Sequence, residues 1–102
     1  SIANSTLPTR EQKPVLWAYH LVSDSLWKKR HDIRFKESLP VARNAIKTLS
    51  QDARWWVRMY PAALAEKHAE LIPRDVLEAL GGDDHPLVRM MLNAASRPPS
   101  GL

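Results

Sequence analysis

Apolar residues recur along this chain at three- and four-residue intervals, the period of helices with one buried face, and polar caps or prolines interrupt them. Thr9 and Gln12 have capping-box spacing and Pro14 suits a first turn, so a first helix is predicted to about Val22, with Leu16, Tyr19, His20 and Val22 as a partly apolar stripe. Ser23, Asp24 and Ser25 supply the cap of a second helix, from about Leu26 to Glu37. Ser38 with Pro40 opens a third, through Leu49, with Val41, Ala45, Ile46 and Leu49 on one face. Asp52 caps a fourth, reaching about His68 or Ala69, on which Trp56, Met59, Tyr60, Ala63 and Leu64 follow the i, i+3, i+4, i+7, i+8 rule. Pro61 removes the N–H that would bond the Val57 carbonyl, which predicts a kink there and not an end. Pro73 starts a short fifth helix closed by Gly81 and Gly82; Asp84 and Pro86 start a sixth, carrying Val88, Met91, Leu92 and Ala95.

The prediction is an all-α protein of six helices, one domain over residues 9–97 between tails at 1–8 and 98–102. Within "SQDARWWVRMY", adjacent side chains on a helix point about 100° apart, so Trp55 and Trp56 cannot face one partner equally. Trp56, in step with Met59, Tyr60 and Ala63, is expected in the core. Trp55, near Arg58 or Met59, is the candidate for an interface or a cation–π contact.

Composition narrows the function classes. A chain of 102 residues is long enough for one modest core. Three glycines are too few for a turn-dense sheet protein, and the absence of cysteine excludes disulfides, a thiolate nucleophile and cysteine-bound zinc. The longest apolar run, Val15 to Tyr19, falls far short of the ~20 residues of a membrane span. Because the first residue is Ser1, removal of a preceding tag or leader is expected; export and compartment stay open. Between Lys28 and Arg58 nine basic residues (Lys28, Lys29, Arg30, Arg34, Lys36, Arg43, Lys47, Arg54, Arg58) face Asp32, Glu37 and Asp52, a net +6, and the remainder is net −2. Such a segment either attracts nucleic acid, acidic lipid or an acidic protein, or forms the solvated face of two helices.

The stretch Asp52 to Met59 recurs. It aligns without a gap, 31 residues later, with Asp83 to Met90, and Asp, Val, Arg and Met repeat in phase. A third Asp-to-Arg spacing of six, Asp24 to Arg30, lies 28 residues earlier, with Lys29 in place of the valine. These periods suit stacked two-helix units. The pattern resembles the HEAT repeats, whose unit is a helical hairpin with an Asp in the turn and a Val-Arg pair in the second helix. The matching residues are Asp52, Val57 and Arg58, then Asp83, Val88 and Arg89, with Asp24 and Arg30 as a weak first copy. The resemblance implies a short right-handed α-solenoid of three hairpins, about 9–37, 38–69 and 73–97. In it the aspartates and arginines bridge successive turns and stabilise the stack. The family often has its proline in the first helix of a unit, whereas Pro61 falls in the second.

No catalytic or metal constellation emerges. His20, His31, His68 and His85 have no paired ligand spacing, Gly81-Gly82 reads as a helix stop, Asp83-Asp84 reads as a cap, and no nucleophile, base and orienting group stand at a recognisable spacing. No cofactor is expected. Some DNA glycosylases resemble this plan, with HEAT-like repeats, basic concave surfaces, tryptophans and a catalytic aspartate, and Trp55, Trp56, Arg54 and Arg58 invite the comparison; nucleic-acid binding through residues 28–58 is the rival reading, and glycosylase-like action a remoter one. The leading expectation is a noncatalytic protein-binding module, a scaffold or accessory subunit of a larger complex, with self-association as a further option. Trp17, Trp27, Trp55, Arg54, Lys28 and Lys29 are its candidate contact residues.

Overall fold

A computed structural model describes residues 13–96, and the side chains of residues 13–94. Five α-helices and one 3-10 turn make up the described residues: α1 (Lys13–His31), α2 (Phe35–Ser50), α3 (Trp55–Leu64), the turn Ala69–Leu71, α4 (Arg74–Gly81) and α5 (Pro86–Ser96). No strand occurs among them. The all-α expectation holds, and the count of six does not. The expected capping box at Thr9 and Gln12 and the tails at 1–8 and 98–102 lie outside the described residues.

The missing helix boundary is at Ser23, Asp24 and Ser25, which sit inside α1 and do not cap anything. Asp24 pairs with Lys28 one turn on, at 2.9 Å. Ser25 is fully buried, 2.7 Å from the Ser38 hydroxyl of α2. Ser38 donates its own proton to the Phe35 carbonyl at 2.6 Å, so Ser25 is the donor of the pair. A small hydroxyl thus satisfies itself where two helices come close, and tertiary contact overrides the capping preference of serine.

The real break comes at residues 32–34, which the sequence does not mark with glycine or proline. Asp32 N–H bonds the Lys29 carbonyl and Ile33 N–H bonds the Lys28 carbonyl, the paired closure of a Schellman motif, with Asp32 in the left-handed region at φ 54°. Arg34 follows at φ 53°. This turn folds α1 back along α2, the most extensive helix contact of the molecule. The predicted hairpin over 9–37 is therefore replaced by one joining Lys13–His31 to Phe35–Ser50.

Downstream elements lie closer to expectation. α3 continues through Pro61, which is buried, but stops at Leu64 and not at residue 68 or 69. Leu71 and Ile72 are core residues, and the chain leaves the helix to bring them there, with Lys29 Nζ donating to the Lys67 carbonyl and Arg43 Nε to the Glu70 carbonyl. Pro73 caps α4 as its position predicted. Gly82 ends it at φ −106°, so the closure does not use a left-handed glycine.

α2 packs on α3, α4 on α5, and α3 on α5, around one core. Its side chains are mostly small: Ala18, Ala42, Ala45, Ala62 and Ala65 with Val15, Val22, Val57, Val76 and Val88, supplemented by Ile46, Leu49, Leu71 and Leu80. Small residues let the backbones approach, and this moves the buried stripes off the large side chains. On α1 the buried line is Val15, Ala18, Val22 and Ser25, while Leu16 and His20 are exposed. On α2 Ala45, Ile46 and Leu49 are buried with Ala42, and Val41 is exposed. On α3 the line is Val57, Pro61 and Ala62, one position from the expected stripe. On α5 Val88 and Leu92 are buried and Met91 is exposed.

Because the left-handed conformation costs an L-residue about 1 kcal/mol, Asp32→Gly is expected to raise unfolding stability by roughly 0.5–1 kcal/mol. Chemical denaturation that gives an unchanged or lower midpoint would contradict the Schellman closure of α1.

Candidate functional site

The two copies of the repeated stretch fold into the same local structure. Asp52 accepts from the Arg54 N–H at 2.9 Å, and Asp83 accepts from the His85 N–H at 2.9 Å, two residues on in each case. Six residues on, Arg58 Nη1 donates to the Asp52 carbonyl at 2.9 Å and Arg89 Nη1 to the Asp83 carbonyl. Neither aspartate is a helix cap in the strict sense; Arg54 occupies that position for α3, and the carboxylate builds the turn before it. Val57 and Val88, the residues before the arginines, are both core residues. Asp24 and Arg30 share none of this: both lie within the uninterrupted α1, Asp24 holds Lys28, and Arg30 is exposed. The weak first copy is a coincidence of spacing.

Arg58 also joins the two turns. Its Nε lies 2.7 Å and its Nη2 3.0 Å from the two carboxylate oxygens of Asp83, and Nη2 reaches Asp84 at 3.0 Å. Nη1 takes the Ala53 carbonyl at 2.9 Å as well. The Arg58 side chain is 13% exposed and that of Asp83 8%, so this fork is largely removed from water. Arg58 hydrogen bonding holds the Asp83 carboxyl below its ordinary range against the opposing effect of burial, and Asp83 in turn raises the Arg58 pKa. Asp52 is held low in the same way by Arg54, whose Nε and Nη2 grip both its oxygens at 2.8 and 2.9 Å.

The tryptophans exchange the roles expected of them. Trp55 is half-buried against the core and stacks on His85, centroids 4.1 Å apart and planes within 11°. His85 Nδ1 accepts the Leu87 N–H at 3.1 Å, so one imidazole both starts α5 and clamps it to the start of α3. Trp56 is 59% exposed. The cation–π contact expected between Trp55 and Arg58 is replaced by this imidazole stack, because the guanidinium is committed to carboxylates and carbonyls. His85 aligns with Arg54 in the repeat, which is the only sign of its role that the sequence carries.

Apolar surface concentrates elsewhere. A groove of about 430 Å³ runs between α1 and α2, lined by Pro14, Trp17 and Leu21 on one side and Pro40, Val41 and Asn44 on the other. Trp17 is 63% exposed, and Trp27, further along α1, is 53% exposed. Among ring contacts of the described residues, each of these indoles meets a histidine of its own helix, Trp17 on His20 and Trp27 on His31.

The basic segment is largely paired within the chain. Lys28 holds Asp24, Lys29 holds Glu70, Arg34 lies near Glu37, Lys47 reaches Asp75, and Arg54 and Arg58 take Asp52 and Asp83. Lys29 further donates to His68 Nδ1 at 2.9 Å, which requires a neutral imidazole; burial first, then the Lys29 charge, holds the His68 pKa low. Lys29 thus ties α1 to the segment after α3 and Arg54 ties its own turn, while Lys28 pairs within α1, one turn from its partner. No group of three or more His, Asp or Glu side chains among the described residues could hold a metal, and no helix among them is long and apolar enough to cross a membrane. Comparisons of the chain with protein-family models, curated proteins and solved structures return no match.

Arg58→Ala leaves Asp83 buried without its counter-charge and is expected to cost about 3 kcal/mol, on the order of 15 °C in melting temperature for a domain of this size. Arg58→Lys should recover only part of that, because an ammonium cannot fork, and Arg30→Ala should stay within roughly 0.5 kcal/mol of the parent. Equal melts for Arg58→Ala and Arg30→Ala would show that the fork contributes nothing.

Acid should act in two stages. A histidine held low loses its contribution as pH falls below the unfolded value of 6.5, and an aspartate held low does so as pH falls below 3.8 toward its folded value. Asp83→Asn removes one group from the second stage, so its stability should fall less steeply than the parent's below about pH 4. Parallel slopes in that window, measured by urea titration, would contradict the assignment.

Proposed function

We propose that this chain is a noncatalytic protein–protein interaction module, a small scaffold or an accessory subunit of a larger complex, on a HEAT-like plan of stacked helical pairs. The observation that carries the reading is the groove between α1 and α2 with Trp17 standing open at its edge. An indole left in water beside leucine, valine and proline is a large apolar surface with no internal use, and tryptophan is a frequent interface anchor. Trp27 and Lys28 extend the same helix beyond it, so a partner lying along α1 meets two aromatic anchors and an exchangeable charge.

The HEAT-like plan is supported by the two Asp–Arg turns of equal geometry 31 residues apart and by the fork that links them. It comprises two units, α2 with α3 and α4 with α5, and α1 covers the exposed side of the first. Protein is favoured over nucleic acid as partner because six of the nine cations between Lys28 and Arg58 already face carboxylates of the same chain. Phosphate binding would have to displace them.

The test is capture from the source cells at physiological salt after nuclease treatment, with mass spectrometry of the bound proteins. Partners should survive nuclease and be lost with Trp17→Ala, whose melting temperature should match the parent's because the side chain is mostly in water. Partners that vanish with nuclease, together with salt-sensitive binding to a short duplex, would move the assignment to nucleic acid.

A further inference from the structure

The two Asp–Arg turns match except at one edge. Arg58 spends Nη1 on carbonyls of its own turn and Nε and Nη2 on carboxylates of the following one. Arg89, at the same register, spends Nη1 on the Asp83 carbonyl, and no carboxylate among the described residues reaches its Nε or Nη2. The next position repeats the contrast. Met59 packs against the core, whereas its counterpart Met90 is 64% exposed. Among the described residues, the surface on which the second unit sits against the first is thus present again on the second unit, with Met90 exposed and the half-buried Arg89 guanidinium already oriented by one hydrogen bond.

The other end of the series is closed. Asp52 stands where a preceding arginine would bind, and Arg54 from its own turn fills that place with the same two-point grip that Arg58 applies to Asp83. α1 lies along α2 on that side.

We propose that the edge of α5 at Arg89 and Met90 is a docking site for a helical hairpin of another polypeptide that presents an aspartate in the turn before its second helix. The Nε–Nη2 edge of this planar guanidinium, unpaired among the described residues, selects a carboxylate in a fixed orientation, and the adjacent methionine supplies an adaptable apolar contact. A second copy of this chain is a poor match, since both aspartates at the repeat position are already held, Asp52 by Arg54 and Asp83 by Arg58, and the exposed Asp84 lies one residue out of that register. A phosphate backbone fits poorly, because Arg89 is the sole cation of α5 and its exposed neighbours are Leu87, Met90 and Met91. This site is separate from the groove between α1 and α2.

The test titrates the full chain with a synthetic peptide of residues 69–96, the segment that carries the matching aspartate, and follows heat and helix content. Saturable binding with a gain in helix is expected. Arg89→Ala in the chain, or Asp83→Asn in the peptide, should weaken it at least about tenfold, and Met90→Glu should do the same without altering the melt of the chain. Trp17→Ala should leave peptide binding unchanged, which separates this site from the groove. Absence of binding up to about 1 mM overturns the proposal. So does binding that survives Arg89→Ala, since the peptide would then be exchanging at Arg58. Light scattering that shows the chain pairing with itself through Arg89 overturns the choice of partner.

Discussion

One guanidinium holds the second half of this molecule to the first. Arg58 takes the carbonyls of Asp52 and Ala53 on its own side and the carboxylates of Asp83 and Asp84 on the other, and the central pair lies mostly out of water. Charges so placed are costly to bury and costlier to separate, so the geometry is strongly specified even where the net gain over an apolar contact is small. Around it the starts of α3 and α5 are brought side by side, and the Trp55–His85 stack seals that junction. The core beneath is built of alanine and valine, which fill space without dictating how helices align. The polar fork supplies the register that such a core leaves loose.

The sequence made this part legible and the amino-terminal part much less so. Asp, Val and Arg recurring in phase 31 residues apart identified the residues that do meet, because a turn built from its own aspartate and a carbonyl six residues before an arginine is a local structure. Pro73 and Pro86 marked true helix starts for a local reason too, their fixed φ and absent N–H. Asp24 to Arg30 had the same spacing without a turn. Ser23-Asp24-Ser25 read as a cap, yet Ser25 is buried against Ser38 inside a continuous helix, and the turn falls on Asp32, which tolerates a left-handed backbone but carries no glycine-like signal, and on Arg34, which seldom adopts one. Long-range contact decided there, and periodicity could not see it.

The tryptophans carry the same lesson about size. Large side chains dominate an apolar pattern read from sequence, so Trp56 was placed inside; closely packed helices bury alanine and valine and leave the large rings at the margins. That is also why three of the four indoles stand open on the surface. A protein whose core is made of small residues has its large apolar side chains at the surface, and that distribution supports the binding role proposed above.

The central claim is that Arg58 and Asp83 are energetically coupled and not merely adjacent. A double-mutant cycle with Arg58→Ala, Asp83→Ala and the pair, measured by equilibrium denaturation, tests it directly. A coupling of about 2 kcal/mol or more is predicted for a buried two-point fork. A coupling within roughly 0.5 kcal/mol of zero, the value of independent sites, would contradict the account.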